Sequence, residues 1–295
     1  MPERRTGPSA FKTAALTAVA MVAFAANSLL CRLALEHGAI DAASFSSIRL
    51  LAGAVALAVI VRWRGAASAR AAADWWAAAM LFTYVAMFSF AYLTLSAGTG
   101  ALILFGAVQL TMFGVGLYSG ERFRASAWCG LALAAGGLVY LVSPGLAAPP
   151  LAGAAMMAVA GFAWGVYSLR GRGVADPLAA TAANFLRATP LALLLSLLRV
   201  ADASVDAAGV ALAIASGAVT SGIGYVIWYA ALNGLTAMRA ATVQLSVPPI
   251  AAFGGVLFLS EAISARLAAA SVAILGGVAL VLLSRSRRPV AQRSA

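Results

Sequence analysis

Long apolar runs, broken by short clusters of charged and turn-forming residues, dominate this chain of 295 residues. Cutting at those clusters leaves ten runs, at 12–35, 41–61, 73–95, 98–118, 125–143, 150–169, 177–199, 208–232, 238–259 and 264–284. A helix needs about 20 mostly apolar residues to cross the hydrocarbon layer of a bilayer. None of the runs alternates with a period of two, as the strands of a membrane barrel do. Only helices and closed barrels satisfy their own backbone in lipid. The pattern therefore predicts an all-α membrane protein with ten transmembrane helices.

The runs repeat. Residues 100–143 and 240–283 align without a gap, with Phe113/Phe253, Gly114/Gly254, Leu117/Leu257, Glu121/Glu261, Gly136/Gly276 and Gly137/Gly277 coinciding. A shared acid in so apolar a text, followed fifteen residues later by a Gly-Gly pair, points to an internal duplication. At a slightly different offset Phe24/Phe162, Arg32/Arg170 and Arg49/Arg187 also correspond. The two copies meet at the uncharged SPGLAAPP segment, 143–150. The expected organisation is an N-terminal tail (1–11), a five-helix repeat (12–143), a linker (144–149), a second five-helix repeat (150–284) and a basic tail (285–295). Five spans per copy is an odd number, so the second copy enters the membrane from the opposite face and the halves form an inverted pair.

Composition agrees. The chain is 63% hydrophobic and 10% charged with a mean hydropathy of +0.96, against about 25% charged residues in a soluble domain. The net charge of +11 invites a nucleic-acid reading, but the basic residues bracket apolar runs instead of forming one face, which argues for no nucleic-acid partner. Their distribution sets orientation. With the N-terminus inside, fifteen Lys and Arg fall on the inner side, three (Arg32, Arg199, Arg266) on the outer, and Arg49 and Arg187 within runs. The positive-inside rule places both termini in the cytoplasm. Arg4, Arg5 and Lys12 before the first run imitate a secretory signal, yet that run exceeds the 7–15 residues of an h-region and reads as a retained helix.

Three further features then take on meaning: LYSGE (117–121) and LFLSE (257–261), each ending an apolar run before a Gly-Gly span; Ala163-Trp164-Gly165 opening the second half; and Pro248-Pro249 before the second Glu. With these the chain resembles the drug/metabolite transporter superfamily in its ten-helix EamA-type branch, over about 12–285. Within that branch it looks most like bacterial inner-membrane exporters of aromatic amino acids. The first copy departs from the pattern, with Ala26-Asn27 opposite Trp164-Gly165 and Val108-Gln109 opposite Pro248-Pro249. The resemblance implies a cavity between helices 1, 3 and 4 of one half and 6, 8 and 9 of the other. It also implies a scaffold made of helices 5 and 10, and a multi-pass location in the bacterial inner membrane.

Polar and aromatic residues inside apolar runs are the candidates for a substrate site. Asn27 and Ser28 fall mid-run in the first helix; Trp164 and Tyr167 fall in the matching sixth. Tyr84 and Phe88 are four apart, and Tyr225 and Trp228 three apart, so each pair shares a helix face. The amide of Gln244 is costly in lipid and should face a cavity or another helix. An aromatic chamber with a few amides suits a flat amphipathic solute, and the expected substrate is a zwitterionic, apolar amino acid, most of all an aromatic one. The alternatives are export of other small metabolites or amphipathic cationic drugs and, further off, an intramembrane enzyme or a structural subunit. Pro248 and Pro249 are the expected kink and hinge.

Other features are read structurally. Arg49 and Arg187 are either anchors for a substrate carboxylate or structural arginines, and their symmetric placement favours the second, because one anionic solute does not need two anchors. Both Gly-Gly pairs should let helices approach closely. Glu121 and Glu261 should begin the last helix of each half, where an acid suits the positive helix end. All nine acids fall at loops or run ends, which argues against proton coupling through a buried carboxylate. No phosphate loop, dinucleotide fingerprint, G-x-S-x-G or metal-ligand cluster occurs, so the reading is no enzyme, no cofactor and no metal. His37 reads as solvated. The partners expected are a small-molecule substrate and the lipid bilayer, with the paired halves completing a monomer.

Overall fold

The computed structural model describes residues 10–36, 38–64, 74–120, 123–145, 148–171, 174–232, 234–235, 240 and 243–284. His37 and Glu121 lie outside the described residues. Among the described residues ten long helices follow one another: α1 Ala10–Glu36, α2 Ala42–Trp63, α3 Trp75–Ala91, α4 Ala97–Tyr118, α5 Ala125–Val142, α6 Leu151–Arg170, α7 Pro177–Leu198, α8 Ala207–Leu232, α9 Val247–Leu259 and α10 Ala265–Ser284. Eight are long and apolar enough to span a membrane, while α3 and α9 are shorter. The fold is an all-α membrane protein.

Two expectations about helix length are corrected. The third run was expected to continue to 95, but α3 stops at Ala91 and the chain turns through 92–95 before Ser96 caps α4. The ninth was expected over 238–259 with a kink at its prolines. Instead Ala240, Val243 and Gln244 are helical, Leu245–Ser246 form a turn, and α9 then starts at Val247 with Pro248 and Pro249 in its first turn. Proline has no N–H to donate and a preset φ, so it is favoured at a helix start and costly in an interior. The pair makes a break, not a bend. Pro190 does lie inside α7.

Acids fix the helix starts. Asp41, Asp74, Asp176 and Asp206 precede α2, α3, α7 and α8, each accepting backbone N–H bonds two or three residues ahead. Such caps satisfy donors that the first turn leaves unpaired. Burial opposes the charge on Asp41, but bonds from Ser44, Ser204 and Ala43 outweigh it and hold the carboxyl below its ordinary range. Asp74 behaves likewise: burial is outweighed by Arg170 and the Ala77 N–H. Caps on α2 and α7, and on α3 and α8, are the same device at matching places in the two halves.

Packing follows the same exchange. The helix α3 packs on α6 and α8 on α1; α4 packs on α6 and α9 on α1; α3 packs on α7 and α8 on α2. The pairs α2–α7, α4–α9 and α5–α10 join equivalent helices. Every one of these neighbours maps onto another, or onto itself, when helix n is swapped with helix n+5.

The α5–α10 pair is a close backbone contact. A Cβ on Gly130 would lie 2.5 Å from the Gly277 carbonyl, one on Gly277 would lie 2.5 Å from the Gly130 carbonyl, and one on Gly137 would meet Ala273 and Ile274 at 2.9 Å. Helices packing this way gain from small residues, since lipid supplies no hydrophobic drive to associate. The expectation for the Gly-Gly pairs is corrected in part: Gly136 and Gly276 face open space. The outer surface carries exposed apolar side chains such as Val55, Leu194 and Val272, and exposed Trp63, Trp75, Trp76 and Trp128 mark helix ends, the distribution of a lipid-facing belt.

Candidate functional site: an aromatic chamber at the centre of the bundle

The centre of the bundle holds a stack of rings. Trp164 of α6 lies 4.9 Å from Tyr84 of α3, 5.6 Å from Tyr225 of α8 and 5.5 Å from Tyr167 one turn along its own helix. The planes of Trp164 and Tyr225 differ by only 16°. Tyr84 and Phe88 pack at 5.4 Å. Phe24 of α1 meets Tyr225 edge-on at 6.0 Å. Such offset and edge-on pairs each contribute about 0.5–1.5 kcal/mol beyond area burial.

A cavity of about 30 Å³ opens among these rings, above the ~10–15 Å³ that one water needs. Of the candidates, Asn27, Ser28, Tyr84, Phe88, Trp164, Tyr225 and Gln244 line it. Tyr167 backs Trp164 without reaching the cavity, and Trp228 packs on Phe24 at 5.9 Å outside it. Phe24, Leu104, Phe105, Thr220 and Ser221 also line it. Pro248 and Pro249 lie a few residues beyond Gln244, at the start of α9.

Thr220 and Ser221 belong to a π-helical stretch, Ala215–Ile223, in the middle of α8. The widened turn is built from small residues: Ser216, Gly217, Thr220, Ser221 and Gly222 are all buried. Gly217 abuts the Arg49 carbonyl so closely that any Cβ would collide with it. Single-turn π segments within α-helices occur often at functional sites. Here the turn aims hydroxyls at α1: Ser216 donates to Asn27 Oδ1 at 2.6 Å, and Thr220 stands 3.3 Å from the same oxygen. Asn27 in turn donates from Nδ2 to the Tyr84 hydroxyl at 3.4 Å.

Arg49 and Arg187 part company. Arg49 is 1% exposed, donates from Nη2 to the Tyr84 hydroxyl at 3.0 Å, and lies over the Tyr84 and Phe88 rings at 5.3 and 5.0 Å. Its Nε and Nη1 are buried without a partner, and none of the ion pairs among the described residues includes it. Arg187 is only partly buried.

Polar contacts tie both ends of the bundle. At one end Arg32 of α1 bonds Glu36, Glu261 and the Tyr92 carbonyl at 3.1, 3.4 and 3.0 Å. Glu261 accepts the Ala97 N–H at 2.9–3.0 Å. The expectation that Glu261 begins its own last helix is corrected: α10 starts at Ala265 with Ser264 as its cap, and Glu261 serves the positive end of α4 instead. Burial raises its pKa from the ordinary value although Ala97 and Arg32 work the other way. At the opposite end Arg170 pairs with Asp74 at 2.9 Å.

An uncharacterized protein of Pseudomonas aeruginosa is 52% identical over 288 residues, which span 98% of each chain. A model of the EamA-like transporter family matches residues 151–283. The chain belongs to the EamA-like transporter family. One solved crystal structure shares this fold, with a TM-score of 0.61 at 20% identity, covering 93% of this chain and 99% of that one. This family of the drug/metabolite transporter superfamily moves small metabolites across membranes, and its multi-pass helical plan is the one described above. The family model covers the second half, and the first half is where Asn27 and Gln109 replace the residues of the second copy.

Proposed function

We propose that the protein exports apolar amino acids, aromatic ones above all, across the bacterial inner membrane by alternating access around the central chamber. The observation that carries this reading is the set of rings converging on Trp164, with Asn27, Ser28 and Gln244 as polar groups on the same cavity wall. Flat faces with a few hydrogen-bonding groups fit an aromatic side chain carrying a polar head.

The two halves are read as an inverted repeat with both termini inside. The paired neighbours under exchange of helix n with helix n+5 support it, as does the positive-inside count. The cavity of about 30 Å³ is well below the ~300 Å³ at which ligand pockets begin, so substrate needs the halves to part. The α3–α4 and α8–α9 hairpins are the moving elements in this account. The break before Pro248 and Pro249 gives α9 a place to turn. Nine candidates make up the proposed site: Asn27, Ser28, Tyr84, Phe88, Trp164, Tyr225 and Gln244 on the wall, with Tyr167 and Trp228 bracing Trp164 and Phe24.

Purified protein in liposomes tests the reading. Labelled phenylalanine should accumulate faster in vesicles preloaded with unlabelled phenylalanine than in empty ones. Absence of flux across a panel of amino acids and quaternary cations would refute transport by this chamber.

A further inference from the structure

The hydrogen bonds around Tyr84 run in one direction. The 2.6 Å contact from Ser216 Oγ to Asn27 Oδ1 is an O–H···O distance, which leaves the amide nitrogen to face Tyr84. The Tyr84 oxygen thus accepts from Asn27 Nδ2 at 3.4 Å and from Arg49 Nη2 at 3.0 Å. A phenol has two acceptor sites and one proton to give. With both acceptor sites engaged, the Tyr84 proton goes to no acceptor among the described residues, and its side chain lines the chamber.

Behind that hydroxyl stands a permanent charge. Arginine stays protonated in proteins, and Arg49 is buried with Nε and Nη1 unpartnered and no carboxylate paired to it among the described residues. An uncompensated buried cation is costly and marks function by default in a membrane span. A donor polarised by a guanidinium prefers an anionic acceptor, because charge-assisted hydrogen bonds are about twice as strong as neutral ones. The same field repels a cation placed among the rings.

We propose that the Tyr84 hydroxyl, backed by Arg49, receives the carboxylate of the solute, so that the chamber selects carboxylate-bearing aromatic compounds and rejects aromatic cations. This rests on the chamber being the binding site and narrows what it binds. Arg49 acts through Tyr84 as a positioning residue.

The test is thermal unfolding of the purified full-length protein with phenylpropionate, phenylalanine or phenethylamine at equal concentrations. Phenylpropionate has the carboxylate and no amine; phenethylamine has the amine and no carboxylate. The first two should stabilise the protein and the third should not. Arg49→Gln should weaken phenylpropionate binding by about 10–100-fold and let phenethylamine stabilise, a gain that misfolding cannot mimic. Tyr84→Phe should likewise weaken phenylpropionate binding even where Arg49→Gln folds poorly, but should still exclude phenethylamine because the Arg49 charge stays in place. Arg187→Gln should leave the preference unchanged. Stabilisation of the wild type by phenethylamine but not phenylpropionate would overturn the carboxylate assignment and keep the chamber. No stabilisation by any of the three would overturn the assignment too. Stabilisation by phenylpropionate without phenylalanine flux in liposomes would refute the amino-acid reading and leave carboxylate selection standing.

Discussion

Trp164→Ala should lower phenylalanine transport by more than about tenfold while leaving the amount of protein in the membrane unchanged. The indole meets Tyr84, Tyr225 and Tyr167 within 4.9–5.6 Å, and each such ring contact is worth about 0.5–1.5 kcal/mol. A tenfold change needs about 1.4 kcal/mol, less than the loss of all three contacts. The residue is only partly buried and faces the cavity, so the deletion enlarges an existing space in preference to opening a void in the packed core. Trp164→Phe should retain most of the activity, since a ring in the same place preserves the stack. Equal transport by wild type and Trp164→Ala, at equal abundance, would show that the ring cluster is packing and not a site.

Gly277→Leu should prevent the protein from being recovered folded. Its Cβ would sit 2.5 Å from the Gly130 carbonyl and 2.6 Å from the Ala134 nitrogen, backbone atoms that yield only if α5 and α10 separate. Overpacking of this kind costs about 3 kcal/mol, and here it strikes the interface on which these two helices pack. Gly276→Leu, one residue away, meets nothing within 4 Å and should stay within about 0.5 kcal/mol of wild type. Size-exclusion profiles and thermal unfolding of both variants in detergent check the contrast. Identical behaviour would mean that α5 and α10 are not in backbone contact.

Much of the architecture was legible because a bilayer imposes a length on every apolar run, and charges or turn residues mark each end. Where the chain departs from that rule, local chemistry explains it. The ninth run looked like one span because its prolines are apolar, yet two missing N–H groups end any helix running into them. Glu261 was placed at the start of α10 by sequence adjacency, and tertiary packing gave it to α4, a partner 164 residues away.

The chamber was legible where polarity contrasts with its background, as with Asn27, Gln244 and Trp164. Phe24, Leu104 and Phe105 offered no contrast in an apolar text. Thr220 and Ser221 were missed because the π-helical turn that aims them inward depends on α8 packing against α2. The crowd of small residues in ASGAVTSGIG was the signal available. Arg49 and Arg187 are equivalent in sequence, and the full burial of Arg49 beneath the Tyr84 and Phe88 rings is a tertiary feature that spacing does not show.

The central claim is that the chamber is a pathway that opens to water during transport. The natural cysteines are free, Cys31 buried and Cys129 exposed, so Cys31→Ser and Cys129→Ser give a background for one reporter. In that background Ser221→Cys places a thiol on the chamber wall, at a residue now 2% exposed. Its rate of reaction with a charged methanethiosulfonate, in right-side-out and everted vesicles, is the most direct measurement. The account predicts labelling from the aqueous phase that phenylalanine alters in opposite directions in the two vesicle orientations. A thiol that stays unreactive from both sides, with and without phenylalanine, would contradict it.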